Sequence, residues 1–337
     1  MDRPPTLGCL FSGMGGFASG LTDAGFVLRW ATDNDPHAAA AFRHRFPDVD
    51  FYERDICGLS ASSLPAVDVL AGGFPCQSFS QAGNRGGFED ERGRLFFEIP
   101  RLLGEWSEWN RPKLLILENV PHLLHGDEGA WFDAVCRSLR RAGYWFRAES
   151  CWVANVRKWT GIPQDRERLF LVAASRTHFT YNPFTPPALP ESRIGTRTIH
   201  DIVDRRTRSE DADYLAAGNT YRKMIEAEMA SGQSQDNLYQ VRRSYVREKP
   251  GALCPTLTAN MGIGGHNVPF LLDEWGIRRL RVGEVAHLQG FDAAEPELFP
   301  NLVPTAERYR LLGNAACPEL ARLAGEQCLA ALAEGLE

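Results

Sequence analysis

Short apolar runs alternate with segments of helical period through the first half of the chain. Runs of strand length occupy residues 6–11, 27–32, 67–71, 113–118 and 169–173. Between them, apolar residues recur at helical spacing near 17–24, 37–45, 95–106 and 131–141. A side-chain period that switches repeatedly between strand-like and helix-like values is the mark of βαβ units. Such units predict an α/β architecture: a doubly wound, mostly parallel, Rossmann-like sheet.

The alternation breaks at residues 182–190, where Pro183, Pro186, Pro187 and Pro190 fall close together. Proline fixes φ and lacks an N–H, so such a cluster stiffens a linker and excludes a central strand. The stretch that follows, to about residue 270, is polar and irregular, with a helix predicted near 219–230. After Arg279 the apolar period returns, and residues 319–336 read as an amphipathic helix that docks back on the first lobe. The predicted organisation is a first domain over 1–176, a smaller irregular domain over 177–275, and a closing segment over 276–337 that returns to the first.

With 337 residues, 44% hydrophobic and 24% charged, the chain has the balance of a soluble protein with room for two lobes. Its eight cysteines are scattered, with no Cys-x-x-Cys and no Cys/His cluster at zinc spacing. Reduced thiols are therefore expected, with neither a disulfide framework nor a metal site. The start, Met-Asp-Arg-Pro-Pro, lacks the apolar core of a secretory signal, and no run approaches 18 uninterrupted apolar residues. A cytoplasmic location without a membrane span is the expectation.

The net charge of −6 argues at first against a polyanionic partner. Charge is local, however. From 175 to 270 there are 12 Lys and Arg against 10 Asp and Glu, and Arg242, Arg243, Arg247 and Lys249 lie within eight residues. Arg157, Lys158, Arg166 and Arg168 form a second basic group. Basic stripes on an acidic body can still follow a phosphate backbone.

Two places carry candidate chemistry. Cys76 follows Pro75 just after the apolar run at 67–71, so it should stand at a strand's carboxyl end, the edge where open α/β sheets bind ligands. An ionised thiol there is a nucleophile. Near the amino end, Phe11-Ser-Gly-Met-Gly-Gly-Phe-Ala18 links the first strand to the first helix, with Gly13-x-Gly15-x-x-Ala18 fitting a loose dinucleotide fingerprint. Asp33, twenty residues on, can accept ribose hydroxyl protons, and Asp55-Ile56 can meet an adenine. Taken alone, this set suits NAD, FAD or S-adenosylmethionine.

Six motifs in order give the chain a more specific likeness. They are the glycine turn at 11–17; Pro75-Cys76-Gln77 with Ser80 and Gly83; Leu117-Glu118-Asn119-Val120; Gln164-Asp165-Arg166-Glu167-Arg168; Arg279-Leu280-Arg281 with Glu284 and Leu288-Gln289-Gly290-Phe291; and Gly313-Asn314-Ala315. In this order and composition the chain resembles the DNA (cytosine-5)-methyltransferases of bacterial restriction–modification systems.

The resemblance implies an S-adenosylmethionine-dependent methyltransferase fold, with residues 1–176 catalytic and 177–275 a target-recognition domain. It implies a reaction on carbon 5 of a flipped-out cytosine in duplex DNA, with S-adenosylhomocysteine as product. Cys76 would add to carbon 6, and Glu118, at the end of a buried-looking strand, would hold or deliver a proton at N3. Arg168 would hold the cytosine O2, with Arg166 nearer the phosphate and the nucleophile loop. Phe11, Gly13, Met14, Gly15, Gly16, Asp33, Asn34, Asp55, Ile56, Pro75 and Leu95 would line the cofactor site, with Asn314 and Ala315 returning from the carboxyl end. Ser80, Arg85 and Arg92 of a glycine-rich loop at 77–94, and Arg242, Arg243 and Thr256 further on, would face DNA. A monomer is expected, with any cognate restriction endonuclease acting separately.

Three departures stand out. His287 occupies a position where the family usually has arginine, the Asn155-to-Gly161 spacing is one residue longer than usual, and Ala316-Cys317-Pro318 is less aliphatic than usual.

Overall fold

A computed structural model describes residues 3–75, 91–188, 197–232, 236–242, 245–262 and 267–334. The chain forms two compact units: Met1–Ala154 with Glu167–Leu189 and Ala316–Glu337, and Asn155–Arg166 with Pro190–Ala315.

The first unit is built on one mixed sheet. Its strands are β1 (Thr6–Leu10), β2 (Val27–Asp33), β3 (Asp50–Glu53), β4 (Val69–Gly73), β5 (Leu114–Asn119), β6 (Tyr144–Trp145) and β7 (Cys151–Asn155). After β8 (Gln164–Asp165), which belongs to the second unit, comes the long β9 (Glu167–Ser175). The order is β3-β2-β1-β4-β5-β9-β6, with β7 also paired to β9. The five strands from β3 to β5 are parallel, while β9 and β6 run antiparallel to their neighbours. β5 and β4 lie in the middle and are buried almost throughout, so they read as continuous apolar runs rather than alternating ones. The two-residue β6 is too short to leave a period in the sequence.

Strand order reverses between β1 and β4, because β2 and β3 build outward on one side of β1 and β4 begins the other. A crevice at the carboxyl ends of the strands is expected at such a switch point.

The first helix, Gly16–Asp23, packs on the long C-terminal helix, Pro318–Glu334. Glycine makes the approach possible: a Cβ on Gly20 would lie 2.1 Å from the Pro318 carbonyl oxygen and 2.7 Å from the Ala321 Cβ.

The polar stretch of the second unit holds more order than its composition suggests. β10 (Leu238–Val241), β11 (Val246–Lys249), β13 (Phe270–Asp273) and β14 (Gly276–Arg279) form an antiparallel sheet, and the two-residue β12 (Cys254–Pro255) pairs with β8. Each strand has four residues or fewer, too short a window for alternation to show above a polar background. Tyr239, Val241, Phe270 and Ile277 bury against the helix Thr220–Ala230 through Ile225. A buried Arg278, bonded to Asp273 and Glu284, ties the sheet to the helix Val282–Gln289. Asn155 caps the helix Val156–Thr160, which a left-handed Gly161 ends, so the long Asn155-to-Gly161 spacing is one capped helical turn. His287 is solvent-exposed on its helix.

Candidate active site

The glycine turn after β1 is fixed by hydrogen bonds from both ends. Ser12 N–H and Oγ donate to the Thr32 carbonyl, and Gly15 N–H donates back to Ser12 O at 2.9 Å. Gly13 and Gly15 have φ of 53° and 90°, the left-handed region that glycine enters without a Cβ clash. Phe11 also lies there, with φ 50°, an unusual backbone strain for an aromatic residue. No side chain caps the helix that starts at Gly16.

Asp33, ending β2, faces this turn. Its Oδ2 accepts Gly13 N–H at 2.7 Å and its Oδ1 accepts Asp35 N–H at 3.0 Å. Burial pushes this carboxyl above its ordinary value, against those N–H donors, which favour the charged form. Asn34 Nδ2 donates to Asp55 Oδ2 at 3.2 Å, and Asp55 also accepts Cys57 N–H, which holds its carboxyl below the usual range. Phe11, Ile56 and Leu95 all join the apolar cluster on this side of the sheet, with Phe74 and Phe96.

These features fit a nucleoside-bearing cofactor. A Cβ on Gly13 would meet nothing within 4 Å, so open space faces the turn, while an oriented carboxylate and an apolar wall stand beside it. Met14, Gly15 and Gly16 are buried in the turn itself. Asn314 and Ala315 lie in the second unit, where Asn314 ends the helix Thr305–Asn314 and is exposed, and Ala315 is buried.

A second group gathers at the ends of β4, β5 and β9. Glu118 of β5 stands in register with Gly73 of β4 and Phe170 of β9. Arg168 Nε meets Glu118 Oε1 at 2.7 Å, both side chains being only 12% exposed. Asn119 is fully buried; its Nδ2 donates to Phe74 O at 3.1 Å and its Oδ1 accepts Val120 N–H. Asn119 thus anchors the backbone that leads through Pro75 to Cys76. The sequence motif holds Asn119 beside Glu118 but gives no sign of this anchoring bond. Cys76, Ser80, Arg85 and Arg243 fall outside the described residues, as does the side chain of Arg92.

Arg166 serves differently from its neighbour. It is 1% exposed, and its guanidinium donates to the carbonyls of Leu257 (2.7 Å), Ala315 (3.0 Å) and Gly313 (3.3 Å). Gln164, also buried, donates to Leu288 O and to Gln289 Oε1 and accepts Leu257 N–H. Gln289 in turn donates to Ala315 O at 2.6 Å. The result is a closed ring of buried hydrogen bonds that draws four sequence-distant motifs of the second unit together. Nothing in the sequence pairs these residues, because the partners are up to 149 positions apart. Thr256 Oγ1 donates to the Asp165 carbonyl, and Arg242 is half-buried beside Arg247, with Tyr245 exposed.

The family model of the C-5 cytosine-specific DNA methylases matches residues 7–330. The chain belongs to that family. As a member it is an S-adenosylmethionine-dependent DNA (cytosine-5)-methyltransferase. It is 36% identical over 319 residues to the Type II methyltransferase M.Bsp6I of Bacillus sp. (strain RFL6), covering 94% of this chain and 96% of that one. It is 30% identical to M.NlaX of Neisseria lactamica, covering 96% of each. Among solved structures, the S. pombe Dnmt2 methyltransferase matches with a TM-score of 0.66 at 20% identity, over 97% of this chain and 98% of that one, a likeness of fold. The turn at 11–16, Asp33 and the Glu118–Arg168 pair all lie at the carboxyl edge of the parallel strands of one sheet. Among the described residues, no helix is long and apolar enough to cross a membrane, and no cluster of three metal-ligating side chains occurs.

Proposed function

We propose that the chain methylates one cytosine of a short duplex DNA site through a covalent adduct with Cys76, as the modification enzyme of a restriction–modification system. The observation that carries this reading is the Glu118–Arg168 pair, poised over the end of β4 three residues before Cys76.

Carbon 5 of cytosine is a weak nucleophile until something adds to carbon 6. Cys76 thiolate forms the sulfur–carbon bond at C6, and the displaced electron pair moves towards N3. Glu118 stabilises that nitrogen by placing a proton on it, and the planar fork of Arg168 holds O2. Bound at the glycine turn, S-adenosylmethionine supplies an electrophilic methyl group. Carbon 5 would take that methyl, leaving S-adenosylhomocysteine; loss of the C5 proton to a base would then re-form the C5–C6 double bond, expel the Cys76 thiolate and return the N3 proton to Glu118. Asp33 would hold the ribose, Asn34 and Asp55 with Ile56 would meet the adenine, and Phe11, Pro75 and Leu95 would enclose it. Met14, Gly13, Gly15 and Gly16 form the backbone cradle.

A stacked base is out of reach of any thiol, so the cytosine leaves the helix at a cost of a few kcal/mol. Ser80, Arg85 and Arg92 hold the extruded strand, while Arg242, Arg243 and Thr256 of the second unit face the duplex, from which the site is read. The enzyme acts as a cytoplasmic monomer, beside any cognate endonuclease.

Bisulfite sequencing of DNA from cells expressing the chain identifies the site. A duplex carrying 5-fluorocytosine there, given S-adenosylmethionine, should trap the protein covalently, since fluorine cannot leave as a proton does. Cys76→Ala should give no adduct, and Glu118→Gln should slow its formation by roughly 10²–10⁴-fold. A methylated site that never yields an adduct would show the mechanism to be wrong.

A further inference from the structure

Arg45 ends the helix Pro36–Arg45, outside every motif named above. Its guanidinium reaches across to the glycine turn: Nη1 donates to the Met14 carbonyl and Nη2 to Ser19 Oγ on the first helix. The group is braced against the Phe46 ring, 5.1 Å from its centroid, with Asp23 supplying nearby negative charge. An independent observation places the end of this helix against the turn: a Cβ on Gly15 would lie 2.7 Å from Phe46 and 3.1 Å from Phe42.

We propose that Arg45 is a positioning residue for S-adenosylmethionine, holding the glycine turn and the first helix in the one arrangement that accepts the cofactor. The Met14–Gly15 peptide plane is gripped on both edges, by Gly15 N–H donating to Ser12 O and by Met14 O accepting from Arg45. That plane sets the left-handed conformation of Gly15, φ 90° and ψ 30°, and hence the direction in which the helix begins. The helix has no side-chain cap of its own. The second arm of the fork, on Ser19, fixes the helix against the turn. The planar fork puts a separate nitrogen on each acceptor, whereas an ammonium would have to reach both from one nitrogen.

The inference rests on the assignment of the turn as the cofactor site, and its test separates the two. Titration calorimetry with S-adenosylhomocysteine should give about tenfold weaker binding for Arg45→Met, the loss expected for a hydrogen bond from a charged donor. Arg45→Lys should fall between that variant and the parent. The KM for S-adenosylmethionine should rise by the same factor in each, with kcat at saturating cofactor and DNA affinity held within about twofold, the signature of lost binding without lost transition-state contacts. Unchanged cofactor affinity in Arg45→Met, a fall in kcat at constant KM, or equal weakening of cofactor and DNA would each overturn the proposal. Should Arg45→Met fail to fold, Arg45→Lys decides by the same split. Asp33→Ala serves as the control: parental affinity there removes the site assignment itself, whereas weak binding there with parental Arg45 variants removes only the role of Arg45.

Discussion

Arg166 and Arg168 stand two residues apart in one motif, yet their surroundings predict opposite consequences of substitution. Arg166→Met removes the donor for three buried carbonyls. Leu257 O, at 2.7 Å, loses a strong charge-assisted bond; Ala315 O keeps Gln289 as a second donor; Gly313 O, at 3.3 Å, loses a weak one. At about 2 kcal/mol for the first and about 1 for the other two together, the loss is ~3 kcal/mol. The flexible thioether fills most of the space, so no large cavity term is added. For a folding unit of this size that is a fall in melting temperature on the order of 10 °C. Arg168→Met, by contrast, breaks a single, largely buried ion pair at the carboxyl edge of the sheet and leaves no set of backbone carbonyls without a donor, so the melting temperature should fall by less than in Arg166→Met while adduct formation is lost. Differential scanning fluorimetry and the 5-fluorocytosine trap, run on both variants, give the comparison. A melting temperature for Arg166→Met within 2 °C of the parent, or equal thermal losses in both variants, would refute the reasoning.

Three further outcomes follow from local packing and charge. Gly20→Ala puts a methyl group 2.1 Å from the Pro318 carbonyl, so the first and last helices must separate, at about 1–3 kcal/mol by urea unfolding; Gly104→Ala, with nothing within 4 Å, should instead stabilise its helix by about 0.5–1 kcal/mol. Lys249 bonds Asp165, which also accepts from Asn155, and Lys249 is the largest influence holding that carboxyl below its ordinary value. A depressed carboxyl contributes stability above its unfolded pKa and loses it as pH falls through the folded one. Lys249→Met should therefore be less stable than the parent at pH 6, with the difference closing below about pH 4, as followed by urea unfolding across that range.

The chemistry of this protein is written locally. A strand followed by Phe11–Gly16, an aspartate at the end of the next strand, and Glu118 closing an apolar run are each settled within a few residues, because strand period, glycine spacing and turn chemistry act over that distance. The sequence alone therefore determined the mostly parallel sheet, the glycine turn after its first strand, and the family. The short strands of the second unit left no period to read. Nor could the sequence divide the labour of two like-charged neighbours: the chain passes from one unit to the other between Arg166 and Glu167, so one arginine closes a buried ring with Leu257, Gly313 and Ala315 while the other meets Glu118. Which carbonyl or carboxylate a guanidinium finds depends on segments brought together from many positions away, and that is decided only when burial leaves each polar group a limited choice of partners.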